Sequence, residues 1–166
     1  MNAIIDFLLT RRSVKPREMR GQGPSPAEIE TLLTIGARVP DHGKIAPWRF
    51  IVFEGDARHR TGDANAEVFA KNNPGASPDE IQKQRGSFSE APLVIAVVSS
   101  TREHPKVPPW EQQLSAGAAC MNIVTAATAL GIAPDERLAG FIHIGGLAQP
   151  PEDRPRPSLA EVVTRF

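Results

Sequence analysis

The chain has 166 residues, enough to bury one core without staples. Its 19 Lys and Arg balance 19 Asp and Glu, so the basic excess that a nucleic-acid backbone demands is missing. One cysteine, Cys120, excludes an internal disulfide framework and a cysteine-only zinc site, and suits a reducing cytoplasm. The first residues, Met1-Asn2-Ala3-Ile4-Ile5-Asp6-Phe7-Leu8-Leu9, place an acid inside a short apolar stretch. Without a basic leader or a small-residue cleavage pattern they do not read as a signal peptide. No apolar run approaches the roughly 20 residues of a membrane span. With 16 prolines and a normal 40% hydrophobic share, the chain reads as ordered turns and extended connections more than as disorder.

Residues 3–11 carry Ile4, Ile5, Leu8 and Leu9 at helical spacing, which predicts a short amphipathic helix ending at Arg11-Arg12. Pro16 and Gly21-Gln22-Gly23-Pro24 predict a loop. Ser25-Pro26-Ala27-Glu28 then combines a capping Ser, a Pro suited to the first helical position and a Glu three residues on. The helix it opens presents Ile29, Leu32, Leu33 and Gly36 on one face and must stop before Pro40. Trp48 to Glu54 is β-branched and aromatic without a breaker, and predicts a strand closed by Gly55-Asp56. A helix is expected over about 57–71 and a turn at Asn73-Pro74-Gly75. Ser77-Pro78-Asp79-Glu80 repeats the helix-start pattern, for a helix reaching about Arg85. Leu93-Val94-Ile95-Ala96-Val97-Val98 is a continuous apolar run of strand length, as in a strand covered on both faces.

After a charged, proline-rich loop over 101–109, the longest helical pattern runs from Pro109 to about Leu130. It is apolar nearly all round, with Leu114, Ala118, Met121, Ile123, Val124 and Ala127, and predicts a central buried helix shielded by sheet and by a second subunit. Ala139-Gly140-Phe141-Ile142-His143-Ile144 predicts a third strand, and the proline-rich tail from 148 ends in an apolar patch suited to packing on a partner. Strands separated by helices through irregular connections predict an α+β or α/β sandwich, and one domain over 1–166.

The usual catalytic signatures are missing. There is no G-x-G-x-x-G, Walker A loop, G-x-S-x-G or H-E-x-x-H, and His42, His59, His104 and His143 lack metal-ligand spacing. Three cationic pieces remain near the N-terminus: Arg11-Arg12-Ser13, Arg38-Val39-Pro40-Asp41-His42 and Pro47-Trp48-Arg49-Phe50. Guanidinium forks, a hydroxyl and an imidazole on adjacent loops suit a small phosphorylated ligand. Singly, each has a plainer reading. Arg11, Arg12 and Arg38 at helix ends complement helix dipoles, and His42 is a turn histidine. Lys44 is either a solvated loop lysine or a cation placed by chain position near a ligand ring. Trp48 suits core packing, Trp110 suits core or a ring-facing wall equally, and Cys120 among Ala, Met and Ile reads as a small buried apolar residue. Ser115-Ala116-Gly117 would allow helices to approach closely, within the chain or across a dimer.

Taken in order, these pieces resemble the nitroreductase family, in its small single-domain branch. The likeness continues in Lys106-Val107-Pro108-Pro109-Trp110-Glu111-Gln112, Ser115-Ala116-Gly117 and Gly140-Phe141-Ile142-His143-Ile144-Gly145, and so spans most of the chain. The resemblance implies an α+β fold with a central, mostly antiparallel sheet flanked by helices. It implies a homodimer with the long helix at the subunit interface and FMN bound there. Electrons would arrive from NADH or NADPH and leave to nitroaromatics, quinones or similar small acceptors. No metal, nucleic acid or membrane enters this picture. By position, Arg11, Arg12 and Ser13 would hold the FMN phosphate and ribityl chain. Arg38 and His42 would reach the cofactor, with the other subunit as a candidate source. Val124, Thr125, Ala126, Ala127, Thr128 and Ala129 match the family's nicotinamide-nucleotide segment, and Arg156 resembles a late phosphate-site arginine. No acid–base pair or nucleophile of the protein is implied, because the chemistry belongs to the flavin ring.

One stretch departs from that pattern. Leu130-Gly131 passes at once into Ile132-Ala133-Pro134-Asp135-Glu136-Arg137, where the family has a longer segment that helps cover the flavin. The expectation is a mobile piece left out of the chain, because a buried helix needs some connection to reach an adjacent strand and mobile loops commonly line functional sites. A true deletion would weaken both FMN affinity and catalysis. Two other functions stay open on the residues alone: a flavin carrier or sensor without turnover, and a cofactor-free dimeric interaction module.

Overall fold

A computed structural model of the chain describes residues 2–12, 15–20, 22–130, 133–137, 141–147 and 159–162. Helix α1 (Ala3–Thr10) starts at Asn2, whose side chain accepts the Ile4 N–H, and is followed by a short strand β1 (Met19–Arg20). Helix α2 (Pro26–Gly36) leads to strand β2 (Trp48–Glu54). Helices α3 (Asp56–Asn72) and α4 (Pro78–Gly86) form a hairpin before strand β3 (Leu93–Ser99). Helix α5 (Pro109–Ala129) precedes the antiparallel pair β4 (Ala133–Arg137) and β5 (Phe141–Leu147), and α6 (Leu159–Val162) lies near the end.

Both serine starts are complete capping boxes. The Ser25 hydroxyl accepts the Glu28 N–H while the Glu28 carboxylate accepts the Ser25 N–H, and Ser77 and Glu80 repeat the arrangement. The Ser N–H first, and the Ser hydroxyl second, hold both carboxyls below their ordinary value of 4.5.

The sheet runs β1-β5-β3-β2, β4 also pairs with β5 along Phe141–Gly145 while β1 meets β5 at Gly146 and Leu147, and every pairing is antiparallel. Leu93, Ile95 and Val97 share one face of β3 and join Leu32, Ala119, Ile123, Val124, Ala126 and Ala127 in the core. Val94 and Ala96 turn to the other face and are equally buried. Phe53, opposite Val94, makes an edge contact there with Phe88 at 5.4 Å. Coverage on both faces explains the uninterrupted apolar run of β3.

The order of helices and strands over residues 3–130 follows the sequence expectation, and four particulars differ. The strand expected over 139–144 is described over Phe141–Leu147, with 139 and 140 outside the described residues. Strand β4 was not expected: Pro134 and three consecutive charges conceal it, which is tolerable because it pairs only with β5 among the described residues. The two-residue β1 was likewise too short to signal itself. Helix α5 is not buried all round within the chain. Ile123, Val124 and Ala127 are buried, but Leu114 is 64% exposed and Met121 38%. With Trp110, 61% exposed, they lie at i, i+4 and i+11 and form one apolar stripe facing away from the sheet. In α1, Ile4, Ile5, Leu8 and Leu9 are likewise exposed.

Helix α2 lies tight against α5 at Gly36, where an added Cβ would sit 2.6 Å from Ile123 Cγ1. Gly36→Ala therefore overpacks a seam that cannot yield, at about 1–3 kcal/mol, against a gain of about 1 kcal/mol in helix propensity. Urea unfolding should show a net loss; equal or higher stability would contradict the packing described. The capping boxes give a second test. A carboxyl held low in the folded state stabilises fully above its unfolded value and loses that contribution as pH falls through the folded value. Glu28→Gln with Glu80→Gln should flatten the stability curve below about pH 4.5. An unchanged acid limb would contradict the boxes.

Candidate functional site

The cationic pieces sit on two parts of the fold. Arg11 ends α1, its N–H donating to the Phe7 carbonyl at 2.8 Å, and Arg11 and Arg12 are both half-buried. Ser13 and Arg156 lie outside the described residues. Arg38 and His42 are on the connection from α2 to β2, and both are exposed.

That connection is held on α5 by three polar side chains at i, i+4 and i+11. Glu111 Oε1 is 2.7 Å from His42 Nδ1. The Ser115 hydroxyl donates to the Pro40 carbonyl at 2.7 Å. Asn122 Nδ2 donates to the carbonyls of Ile35 and Arg38 at 3.1 and 3.2 Å. The Ile35 oxygen belongs to the last turn of α2, where carbonyls lack the partners of a continuing helix, and the Arg38 oxygen to the connection that follows. One line of α5 thus completes α2 and fixes the turn that follows.

The turn itself is strained. Gly43, Lys44 and Ala46 have φ of 74°, 52° and 48°, and left-handed backbone costs a non-glycine residue about 1–2 kcal/mol. The Asp41 carboxylate offsets this by accepting the Ile45 N–H at 3.1 Å on one oxygen and the Ala46 N–H at 2.8 Å on the other. The Arg102 guanidinium donates to the Ile45 carbonyl. Arg102 is placed in turn by Gln112, which is 1% exposed. Its amide accepts the Arg102 N–H and donates to the Arg102 and Val107 carbonyls, all within 3.0 Å. The side chain of His104 adjoins Gly43, and its Nδ1 accepts the N–H groups of Lys106 and Val107. With Glu103, Pro105 and Pro109, His104 lines a cavity of about 580 Å³.

The remaining candidates divide. Val124, Ala126 and Ala127 are core residues, so their side chains serve packing. The Thr125 and Thr128 hydroxyls bond back to the Met121 and Val124 carbonyls at 2.8 and 3.0 Å, and Ala129 is exposed at the end of α5. Trp48 and Cys120 are partly buried against the core, as expected of core aromatics and small residues. Trp110 is on the exposed stripe and Lys44 is exposed on the strained turn. Sequence reasoning did not single out Asp41, Glu111, Ser115, Asn122, Arg102 or Gln112 for these roles. Glu111, Gln112 and Ser115 stood within the quoted motifs, but their partners lie up to 75 residues away in the chain. Among the described residues no cluster of His, Cys, Asp or Glu could hold a metal ion, and no helix is long and apolar enough to cross a membrane.

Residues 8–133 match the sequence profile of the nitroreductase family. YdjA of Escherichia coli K12, provisionally named an NAD(P)H nitroreductase, is 34% identical over 149 residues, covering 89% of this chain and 75% of YdjA. The chain belongs to the nitroreductase family. Solved nitroreductase structures share its fold. A nitroreductase-like protein of Bacillus cereus superposes with a TM-score of 0.76 at 20% identity, over 100% of this chain and 97% of that one. A Desulfovibrio desulfuricans protein solved in complex with FMN gives 0.73 at 20%, over 100% and 98%. The nitroreductases are oxidoreductases, and this chain is an enzyme of that class.

If the Asp41 carboxylate holds the turn, Asp41→Ala should lower the unfolding free energy by about 1–3 kcal/mol, the partly buried Ile45 N–H and the exposed Ala46 N–H both losing their acceptor. Adding Ala46→Gly should recover about 1 kcal/mol, because glycine adopts positive φ freely. Urea unfolding of the single and double variants measures both. No loss in the first, or no recovery in the second, would contradict the clamp.

Proposed function

We propose that this nitroreductase is an FMN-dependent NAD(P)H oxidoreductase, passing electrons from NADH or NADPH to nitroaromatics, quinones or similar small acceptors in the cytoplasm. The observation that carries the reading is Arg11-Arg12, two consecutive half-buried arginines that follow α1 in a chain with no net charge. Two such forks match a phosphate monoester in charge and in hydrogen-bond geometry. The donor set therefore fits FMN, the group held by the similar Desulfovibrio desulfuricans protein. Ser13 would add a hydroxyl to the phosphate site, and Arg38 and His42 would approach the flavin from the turn fixed on α5. When bound, the flavin ring supplies the two-electron chemistry, accepting hydride from the nicotinamide and releasing electrons to the acceptor. The chain's part is to bind and orient: arginines at the phosphate, a rigid turn at the ring, and the nucleotide near the Val124–Ala129 end of α5.

A homodimer completes this arrangement. The exposed stripe of Trp110, Leu114 and Met121 on α5 and the exposed face of α1 are apolar surfaces that a second copy would cover. A flavin carrier without turnover is the second reading, favoured by the two residues that separate Leu130, the cap of α5, from β4.

Purified protein should be yellow, or bind added FMN with quenching of flavin fluorescence. Anaerobic NAD(P)H should bleach it, and a nitroaromatic or quinone should restore the colour. Binding without bleaching would favour the carrier; no binding would contradict both readings. Arg11→Ala with Arg12→Ala should weaken FMN by about 100-fold or more, at about 1.5–3 kcal/mol for each charged hydrogen bond. Unchanged affinity would remove the arginines from the phosphate site.

A further inference from the structure

On the reading that the ligand is FMN, the Glu111–His42 pair decides which part of it the histidine addresses. Nδ1 of His42 lies 2.7 Å from a carboxylate oxygen, so Nδ1 carries the hydrogen there, because two bare lone pairs do not approach so closely. In the neutral ring Nε2 is then a bare acceptor. The His42 side chain is 59% exposed and that of Glu111 32%, so the far edge of the ring is open to a ligand while the carboxylate stands partly covered behind it.

A phosphate has only lone pairs to offer such a nitrogen, and its charge opposes Glu111. It also has no need of the histidine, since Arg11 and Arg12 already match its nearly two negative charges. The ribityl chain and the ring, in contrast, carry hydrogen-bond donors: hydroxyls on the one and an imide N–H on the other. We infer that Glu111 is a positioning residue that sets the His42 tautomer, making His42 a hydrogen-bond acceptor for the ribityl–isoalloxazine part of the flavin and leaving the phosphate to Arg11 and Arg12.

The ring is held in register as well as in tautomer. Ser115 binds the Pro40 carbonyl two residues before it, and the Asp41 carboxylate fixes the backbone after it. The charged groups nearest in the chain, Asp41 and Lys44, belong to the same turn, so Glu111 is the anion contributed by another element.

The test titrates FMN and riboflavin, which lacks the phosphate, into the full chain and four variants, following flavin fluorescence. The His42 ring nitrogens are read by 15N spectroscopy in flavin-free protein, and unfolding curves establish that each variant is folded. His42→Ala and Glu111→Ala should weaken both flavins by the same factor, about tenfold for a hydrogen bond supported by a charge. Glu111→Gln keeps an acceptor oxygen and the α5 backbone, and should recover most of the loss. Arg11→Ala with Arg12→Ala should weaken FMN far more than riboflavin. The wild-type ring should be protonated at Nδ1, and Glu111→Ala should move the proton to Nε2. Losses at His42 confined to FMN, or a ring protonated at Nε2 in the wild type, would overturn the inference by placing the histidine on the phosphate. Binding of FMN without any of riboflavin would overturn it too. A wild type that binds neither flavin would instead contradict the FMN reading itself, while its 15N spectrum would still report the tautomer.

Discussion

Helix α5 presents three distinct faces, and the rest of the structure depends on its staying in one rotational setting. One face, with Ala119, Ile123, Ala126 and Ala127, packs on β3 and α2. A second, with Glu111, Ser115 and Asn122, holds the end of α2 and the turn after it. A third, with Trp110, Leu114 and Met121, is apolar and exposed. Rotating α5 by one residue would break all three sets together, since neighbouring residues of a helix point about 100° apart. The close approach at Gly36, with Ile123 filling the space a Cβ would need, fixes that setting sterically. The core thereby transmits its rigidity to polar groups on the surface.

The turn over residues 41–46 shows what that rigidity is used for. Left-handed Lys44 and Ala46 are unfavourable alone, and persist because Asp41, Arg102 and the Glu111–His42 contact hold the turn from three directions. Backbone strain of this kind concentrates at ligand-contacting sites, where a preset geometry saves ordering on binding. The turn joins two of the sequence pieces singled out above, Arg38-Val39-Pro40-Asp41-His42 and Pro47-Trp48-Arg49-Phe50.

Much of the fold was legible because its signals are local. Ser25-Pro26 and Ser77-Pro78 announce helices through caps that need only four residues, and β3 announces itself through an apolar run that both faces bury. What was hidden is non-local. Nothing in Glu111 or Ser115 names His42 or Pro40 as partners, and Gln112 reads as a surface residue until the loop after β3 closes over it. Strand β4 escaped notice because its proline and charges are those of an edge strand. The exposure of Leu114 and Met121 was hidden for a related reason: composition records that a helix is apolar all round, not whether its own chain covers every face. For the site, order along the chain singled out the cationic pieces, whereas the Glu111 contact to His42 became visible only once the connection after α2 lay against α5.

A crystal structure of the protein with FMN tests the central claim most directly. The account predicts one phosphate within hydrogen-bond reach of Arg11 and Arg12, with the flavin ring against a 41–46 turn that keeps its left-handed backbone and its Glu111–His42 contact. A flavin held elsewhere, or a turn that rebuilds itself around the ligand, would contradict it.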